Sequence, residues 1–219
     1  MNLFEYFRSR DTSQDATASM PWPVAGAVRA DLPAYFCDLG FTKGAEVGVW
    51  DGVYSEALCQ ANPALHLTCV DPWTKYPEYL IRFRQPREDG SVASGEEAFQ
   101  CAYAAAVKRL QPYGCTLVRD FSVKAAEGVP DGSLDFVYLD GNHQYEYVME
   151  DISAWLPKIR AGGILSGHDY VQSRQIDVVA AVDAWTTTHA VRPWFVLGRG
   201  RRRASERGEK YRSWLWVKS

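Results

Sequence analysis

The sequence has no long apolar run, no paired-cysteine motif and no strong charge of either sign, and each absence removes a class of protein. None of its apolar stretches approaches the ~18 residues a membrane helix needs, and the first residues lack the basic, apolar and small segments of a signal peptide. Five cysteines (Cys37, Cys59, Cys69, Cys101, Cys115) are odd in number, widely spaced and mostly inside apolar runs. That pattern favours buried thiols in a reducing compartment over a disulfide framework or a zinc site. A formal net charge of −3 gives no general reason to bind nucleic acid or an anionic membrane. Internal repeats are lacking too, so the expectation is a soluble cytoplasmic protein. What remains is 219 residues, 47% hydrophobic and 23% charged, enough for one well-buried domain.

The stretch that organises the chain is Ala45-Glu46-Val47-Gly48-Val49-Trp50-Asp51-Gly52. Val47 and Val49 suit a buried strand, and Gly48 and Gly52 remove side chains where the backbone turns tightly. A helix follows from Ser55. Four more apolar runs read as strands, three of them ending in an acid: Leu65–Asp71, Cys115–Ser122 with Asp120 near its end, Leu134–Asp140 and Ile164–Tyr170. Helices are expected over Gly95–Leu110, Tyr145–Ile159 and Ile176–Thr187, with a short one at Val123–Glu127 and another through Ala34–Leu39. Gly162-Gly163 reads as a helix stop. Trp194–Leu197 and Ser213–Val217 are two last strands with no helix between them.

Alternation of strands and helices implies a parallel sheet, and the final pair implies one antiparallel strand. The fold class is therefore α/β: a doubly wound, Rossmann-like, seven-stranded, mostly parallel sheet with a C-terminal antiparallel hairpin. Residues 1–30 read as an N-terminal arm and linker, whose aromatic patch suits docking on its own domain, a homo-oligomer contact or a lid over the ligand site. Residues 31–219 form the domain. Within it, 74–94 is longer than an ordinary strand-to-helix loop and reads as a binding lid carrying Tyr76, Tyr79 and Phe83. The 198–212 joint is arginine-rich and reads as a solvated hairpin, with an anionic substrate or a neighbouring subunit as the other option.

Five motifs occur in order: Glu46-Val-Gly48-Val-Trp-Asp-Gly52, Val70-Asp71-Pro-Trp73, Arg119-Asp120-Phe121-Ser122, Asp140-Gly-Asn-His143-Gln-Tyr145-Glu146, and Gly162-Gly163-Ile-Leu-Ser-Gly167-His168-Asp169-Tyr170. Together they resemble the class I S-adenosylmethionine-dependent methyltransferases, in particular the small-molecule O-methyltransferase branch that includes sugar and antibiotic enzymes. The likeness runs from about Gly44 to Val217. Trp50 departs from it, standing where many such enzymes have a glycine, and would crowd the turn.

The resemblance implies that Glu46, Gly48 and Gly52 line the methionine end of S-adenosylmethionine. By the same token Asp71 and Trp73 lie at the ribose, and Asp120, Phe121 and Ser122 beside the adenine. Methyl transfer to an alcohol also needs something to draw off a proton. His143 is the candidate general base and Asp140 its companion. Asp140 and Asp169, at the ends of adjacent strands, could share Mg²⁺ or Mn²⁺ with His168, although strand alternation turns His168 and Asp169 opposite ways unless the strand has already broken. The acceptor implied is a small hydroxylated molecule. A nucleic-acid or protein methyltransferase, and a non-catalytic S-adenosylmethionine-binding protein, are the alternatives; the acidic balance argues against nucleic acid, and the missing Gly-x-Gly-x-x-Gly against a dehydrogenase.

Overall fold

The computed structural model describes residues 20–24, 26–76, 84–87, 89–171, 176–198 and 211–219. Ten strands are arranged as one eight-stranded sheet and one small hairpin. The strands are β1 (Trp22–Val24), β2 (Lys43–Val47), β3 (His66–Val70), β4 (Arg84–Pro86), β5 (Val92–Ser94), β6 (Thr116–Val118), β7 (Leu134–Leu139), β8 (Ile159–Gly167), β9 (Trp194–Leu197) and β10 (Ser213–Val217). The main sheet runs β1-β9-β10-β8-β7-β2-β3-β6. β2, β3, β6, β7 and β8 pair in parallel, and β10 is antiparallel to both β8 and β9.

Six helices cover the sheet: α1 (Leu32–Asp38), α2 (Val53–Ala61), α3 (Glu96–Leu110), α4 (Ser122–Glu127), α5 (Tyr145–Trp155) and α6 (Val178–Thr188). α1, α2 and α3 bury Phe36, Leu58, Phe99 and Leu110 against one face, over Phe136, Tyr138 and Leu215. On the other face α4, α5 and α6 bury Ala125, Ile152, Trp155 and Val182 against Val137, Leu165 and Trp216. Strands covered on both faces should read as continuous apolar runs, and Leu134-Asp135-Phe136-Val137-Tyr138-Leu139 does, with all but Asp135 buried.

The sheet has eight strands rather than the seven expected. Trp22–Val24, assigned above to the N-terminal linker, pairs in parallel with β9 at the sheet edge; three residues beside Pro21 and Pro23 are too few to show alternation. Gly162-Gly163 does not stop a helix. α5 ends at Trp155 and a 3₁₀ turn carries the chain into β8, which already contains both glycines. A Cβ on Gly163 would lie 2.5 Å from the Asp135 carbonyl oxygen, so the pair lets β8 shift register against β7. The 74–94 segment contains the antiparallel hairpin β4–β5. Tyr79 and Phe83, the N-terminal arm as far as residue 19 and the arginines between 199 and 207 lie outside the described residues.

Candidate active site

In the sheet order β2 lies between β3 and β7, so the chain winds outward in both directions from β2, and open α/β sheets bind ligands at such a switch point beyond the carboxyl ends of the strands. A cleft of about 680 Å³, open to solvent, lies there. Val47 ends β2, and Gly48 and Trp50 follow it; Asp71, Thr74 and Tyr76 follow β3; Asp140, Asn142 and His143 follow β7; Phe99 and Ser122 come from α3 and α4. Its mixture of aromatic walls with a few polar groups suits a nucleoside-containing ligand.

The β2–α2 turn is held from beneath. Gly48 has φ +89°, and a Cβ on it would fall 2.1 Å from the Asp140 carbonyl oxygen, so its glycine serves the close approach of two strand ends as well as the ligand. Trp50 is also left-handed, at φ +51°. Its side chain does not crowd the turn in the way expected. The indole meets Phe99 edge-on, and its Nε1 donates to Gln85 Oε1 at 2.7 Å, tying the turn to the β4–β5 hairpin.

Asp71 lines the cleft, but both its oxygens also hold backbone: Oδ2 accepts Trp50 N–H at 2.9 Å and Oδ1 accepts Trp73 N–H at 2.7 Å. Burial pushes its carboxyl upward, with the backbone donors opposing.

The remaining candidate residues have partners within the protein. Trp73 is fully buried and donates through Nε1 to the Trp50 carbonyl at 2.7 Å, which makes it part of the turn's support and not of the cleft wall. Glu46 is also buried; it accepts a hydrogen bond from Ser55 Oγ, and burial pushes its carboxyl up to about 8. Gly52 caps α2 and packs on Ala106 and Leu110. Asp120 caps the Phe121 N–H at 2.8 Å. Phe121 is exposed and meets Tyr76 edge-on, while Tyr76 in turn meets Tyr147 of α5. Ser122 lines the cleft although its Oγ accepts from Trp155 Nε1 at 2.9 Å.

At the β7–β8 side, Asp140, His143 and Asp169 each offer a ligand atom, and these atoms all lie within 4.8 Å of one another. His143 Nε2 lies 3.0 Å from Asp169 Oδ2 and 3.4 Å from Asp140 Oδ1. β8 ends at Gly167, and Asp169 has φ +55°, so the strand has indeed broken. His168 and Asp169 therefore both reach the cluster: His168 Nδ1 lies 3.4 Å from Asp169 Oδ1 and 3.7 Å from Asp140 Oδ1. Burial alone would lower the His143 pKa, but the two carboxylates outweigh it and hold the ring up to about 10. Asp169 is held well below the usual carboxylate range by His143 and His168 against the opposing effect of burial. The two carboxylates thus favour the protonated ring, against the effect of burial.

Arg29, in the 3₁₀ turn before α1, was not singled out from the sequence. Its guanidinium lies 4.0 Å over the Tyr54 ring and forms an ion pair with Asp140 Oδ2 at 3.0 Å. No local motif marks an arginine whose partner is so far along the chain. Asp151 of α5 was missed for a similar reason. It lies behind the cluster and beside Ser122, and burial pushes its carboxyl up to about 7.

Residues 45–170 match a family model described as a methyltransferase domain. No curated protein matches the chain significantly by sequence. Among solved structures, a putative caffeoyl-CoA O-methyltransferase from Staphylococcus aureus superposes with a TM-score of 0.56 at 12% identity, covering 87% of this chain and 82% of that one. An O-methyltransferase from Bacillus cereus in complex with SAH gives 0.56 at 11%, over 98% and 88%. A putative rRNA methylase from Clostridium thermocellum gives 0.54 at 11%, over 84% and 92%, so the shared fold does not choose the acceptor. The matched segment runs from β2 through the break after β8 and takes in the turn, the cleft and the carboxylate cluster: the chain belongs to this methyltransferase family and is an S-adenosylmethionine-dependent enzyme.

Proposed function

We propose that the enzyme methylates a hydroxyl group of a small molecule, with S-adenosylmethionine in the β2–β3 side of the cleft and the acceptor oxygen directed at the Asp140–His143–Asp169 cluster. The observation that carries this reading is the cluster itself, two carboxylates and an imidazole at the strand ends, with Asp140 and His143 lining the cleft that Gly48 and Asp71 also line. Gly48, Asp71, Ser122 and the aromatic walls Trp50, Tyr76 and Phe99 would hold the cofactor. Methyl transfer is an in-line displacement, so the chain's work is alignment and exclusion of water. An alcohol must also lose a proton, and a cluster with two carboxylates beside one imidazole can take it up and hold the charge.

The donor set also fits a divalent cation. Two carboxylates and one ring nitrogen are a suitable triad for Mn²⁺ or Fe²⁺, and less so for Mg²⁺, which prefers oxygen throughout. Asp140, Asp169 and His143, with His168 at its edge, would hold it, and it would supply Lewis acidity toward the acceptor hydroxyl. Calorimetry with S-adenosylmethionine and with NAD, followed by methylation of a panel of phenols, catechols and sugars before and after chelation, tests the proposal. Saturable cofactor binding and methylation of at least one hydroxyl compound are expected. Methylation of RNA or protein alone would overturn the acceptor assignment.

A further inference from the structure

Two of the five cysteines, Cys59 and Cys115, meet, and Cys69 lies in the same apolar cluster. Cys69 lies in β3, in register with Leu117 of β6 and Glu46 of β2, and parallel partners share a face. Cys115, two residues before Leu117, continues that same face by alternation. Cys59, on the apolar side of α2, packs down onto it. The outcome is a Cys59 Sγ to Cys115 Sγ separation of 3.5 Å. Cys59 and Cys69 are buried, whereas Cys115 is half-exposed at the sheet edge beside β6.

We propose that Cys115 and Cys59 form an oxidisable dithiol, a modification site separate from the methyl-transfer centre, in which Cys115 meets a hydroperoxide and Cys59 closes the disulfide. The asymmetry in exposure sets the order, because the thiol that solvent reaches is the one an oxidant reaches. Hydrogen bonds from Cys59 and then Cys69 favour the thiolate on Cys115, and the same contacts push the two buried thiols up. A soft-metal site fits less well. Among the described residues, the group of three or more metal-binding side chains that converges is Asp140, His143 and Asp169, so the three sulfurs do not close on one point.

The chemistry balances with hydrogen peroxide as the oxidant. The Cys115 thiolate attacks the peroxide O–O bond, forming an S–O bond and releasing hydroxide that leaves as water. Cys59 then gives up its proton, its sulfur attacks the Cys115 sulfur, and the sulfenic oxygen departs as a second water. Two thiols lose two electrons, and peroxide takes them. Closure to a bonded S–S distance needs the sulfurs to approach by about 1.5 Å, a shift that side-chain rotation and a small movement of α2 can share.

The test is peroxide treatment of the full folded chain, alkylation of the remaining thiols and peptide mass spectrometry without reduction. A linked Cys59–Cys115 peptide pair is expected, rising roughly tenfold over untreated protein and abolished by dithiothreitol. Cys115→Ser removes it, and Cys59→Ser leaves a Cys115 sulfenic acid that dimedone labels. Thermal melts of both variants establish that they are folded, and the wild-type linkage stands independently of them. Oxidation confined to Cys37 or Cys101, a Cys69–Cys115 link in the wild type, or Cys59 and Cys115 both still alkylatable after treatment would each overturn the proposal.

Discussion

Trp50 Nε1 donates to Gln85 Oε1 at 2.7 Å, and this bond joins the β2–α2 turn at the cleft to a hairpin inserted between β3 and α3. Gln85 is buried, and its Nε2 lies 3.4 Å from Asp51 Oδ2 in the same turn. Trp50→Phe keeps an aromatic ring at this position but removes the Nε1 donor together with part of the indole, leaving the buried Gln85 Oε1 without that donor. A loss of about 1–2 kcal/mol is expected. It should appear as a several-fold weaker S-adenosylmethionine affinity by calorimetry and as faster amide exchange over residues 84–94. Unchanged exchange there would separate the hairpin from the turn.

Arg29 and Asp140 form the second such bridge, from outside the family-matched segment into its centre. Arg29→Met leaves Asp140 Oδ2 without its cation in a mostly buried place, and breaking such a pair costs roughly 3 kcal/mol. Arg29→Lys retains charge but not the planar stack on Tyr54. Denaturant midpoints should therefore rank wild type above Lys above Met, and methylation should fall in the same order.

Asp140 and Asp169 differ in their access to the cleft. Asp140 lines the cleft, while Asp169 is not among its lining residues. Asp169→Asn should leave cofactor affinity within about twofold while lowering kcat by roughly 10²-fold, the scale of a lost acid–base or charge-bearing group. Calorimetry and turnover measured on one preparation distinguish this from misfolding, in which both would drop.

Glu46 makes a prediction about pH. Its carboxyl rises from 4.5 to about 8 on folding because it is buried, so between those values the folded state holds a proton that the unfolded state has released. Stability from this group therefore declines as pH rises from about 4.5 and levels off above about 8. Glu46→Gln keeps an acceptor for Ser55 and removes the ionisation. The variant should match wild type near pH 4.5 and exceed it by at least about 1 kcal/mol at pH 8, some 2–4 °C in Tm for a chain of this size. A gap that shrinks with rising pH would reverse the assignment.

The parallel strands, the order of their acids and the terminal hairpin are written in local pattern, because apolar runs, glycine turns and alternation are short-range signals. Asp140, His143 and Asp169 were legible for the same reason, since each follows a strand whose neighbours are set by the topology. The hydrogen bonds that Trp73 and Glu46 make to Trp50 and Ser55 were not legible, because a residue's position along a strand gives its height in the sheet but not its partner. Arg29, Gln85 and Asp151 gave no sequence signal, each acting through partners brought near only by tertiary packing. His143 follows β7 as the pattern places it, but its ion pairs with two carboxylates from different strands are contained in no local pattern.

Gly48 shows how much rests on one backbone position. Its φ of +89° disfavours any L side chain, and its absent Cβ leaves room for the Asp140 carbonyl at 2.1 Å and the Gly141 nitrogen at 2.7 Å. Backbone cannot rotate aside as a side chain can, so Gly48→Ala must part β2 from β7 just where Asp140 turns toward the cluster. Gly114 is the matched control: it too has positive φ, +64°, but nothing lies within 4 Å of its missing Cβ. Gly114→Ala should cost about 1 kcal/mol from conformation alone. Gly48→Ala should cost more than about 4 kcal/mol and abolish cofactor binding in whatever fraction remains folded. Equal losses in the two variants, read by urea midpoints, would mean that conformation and not strand contact fixes the glycine.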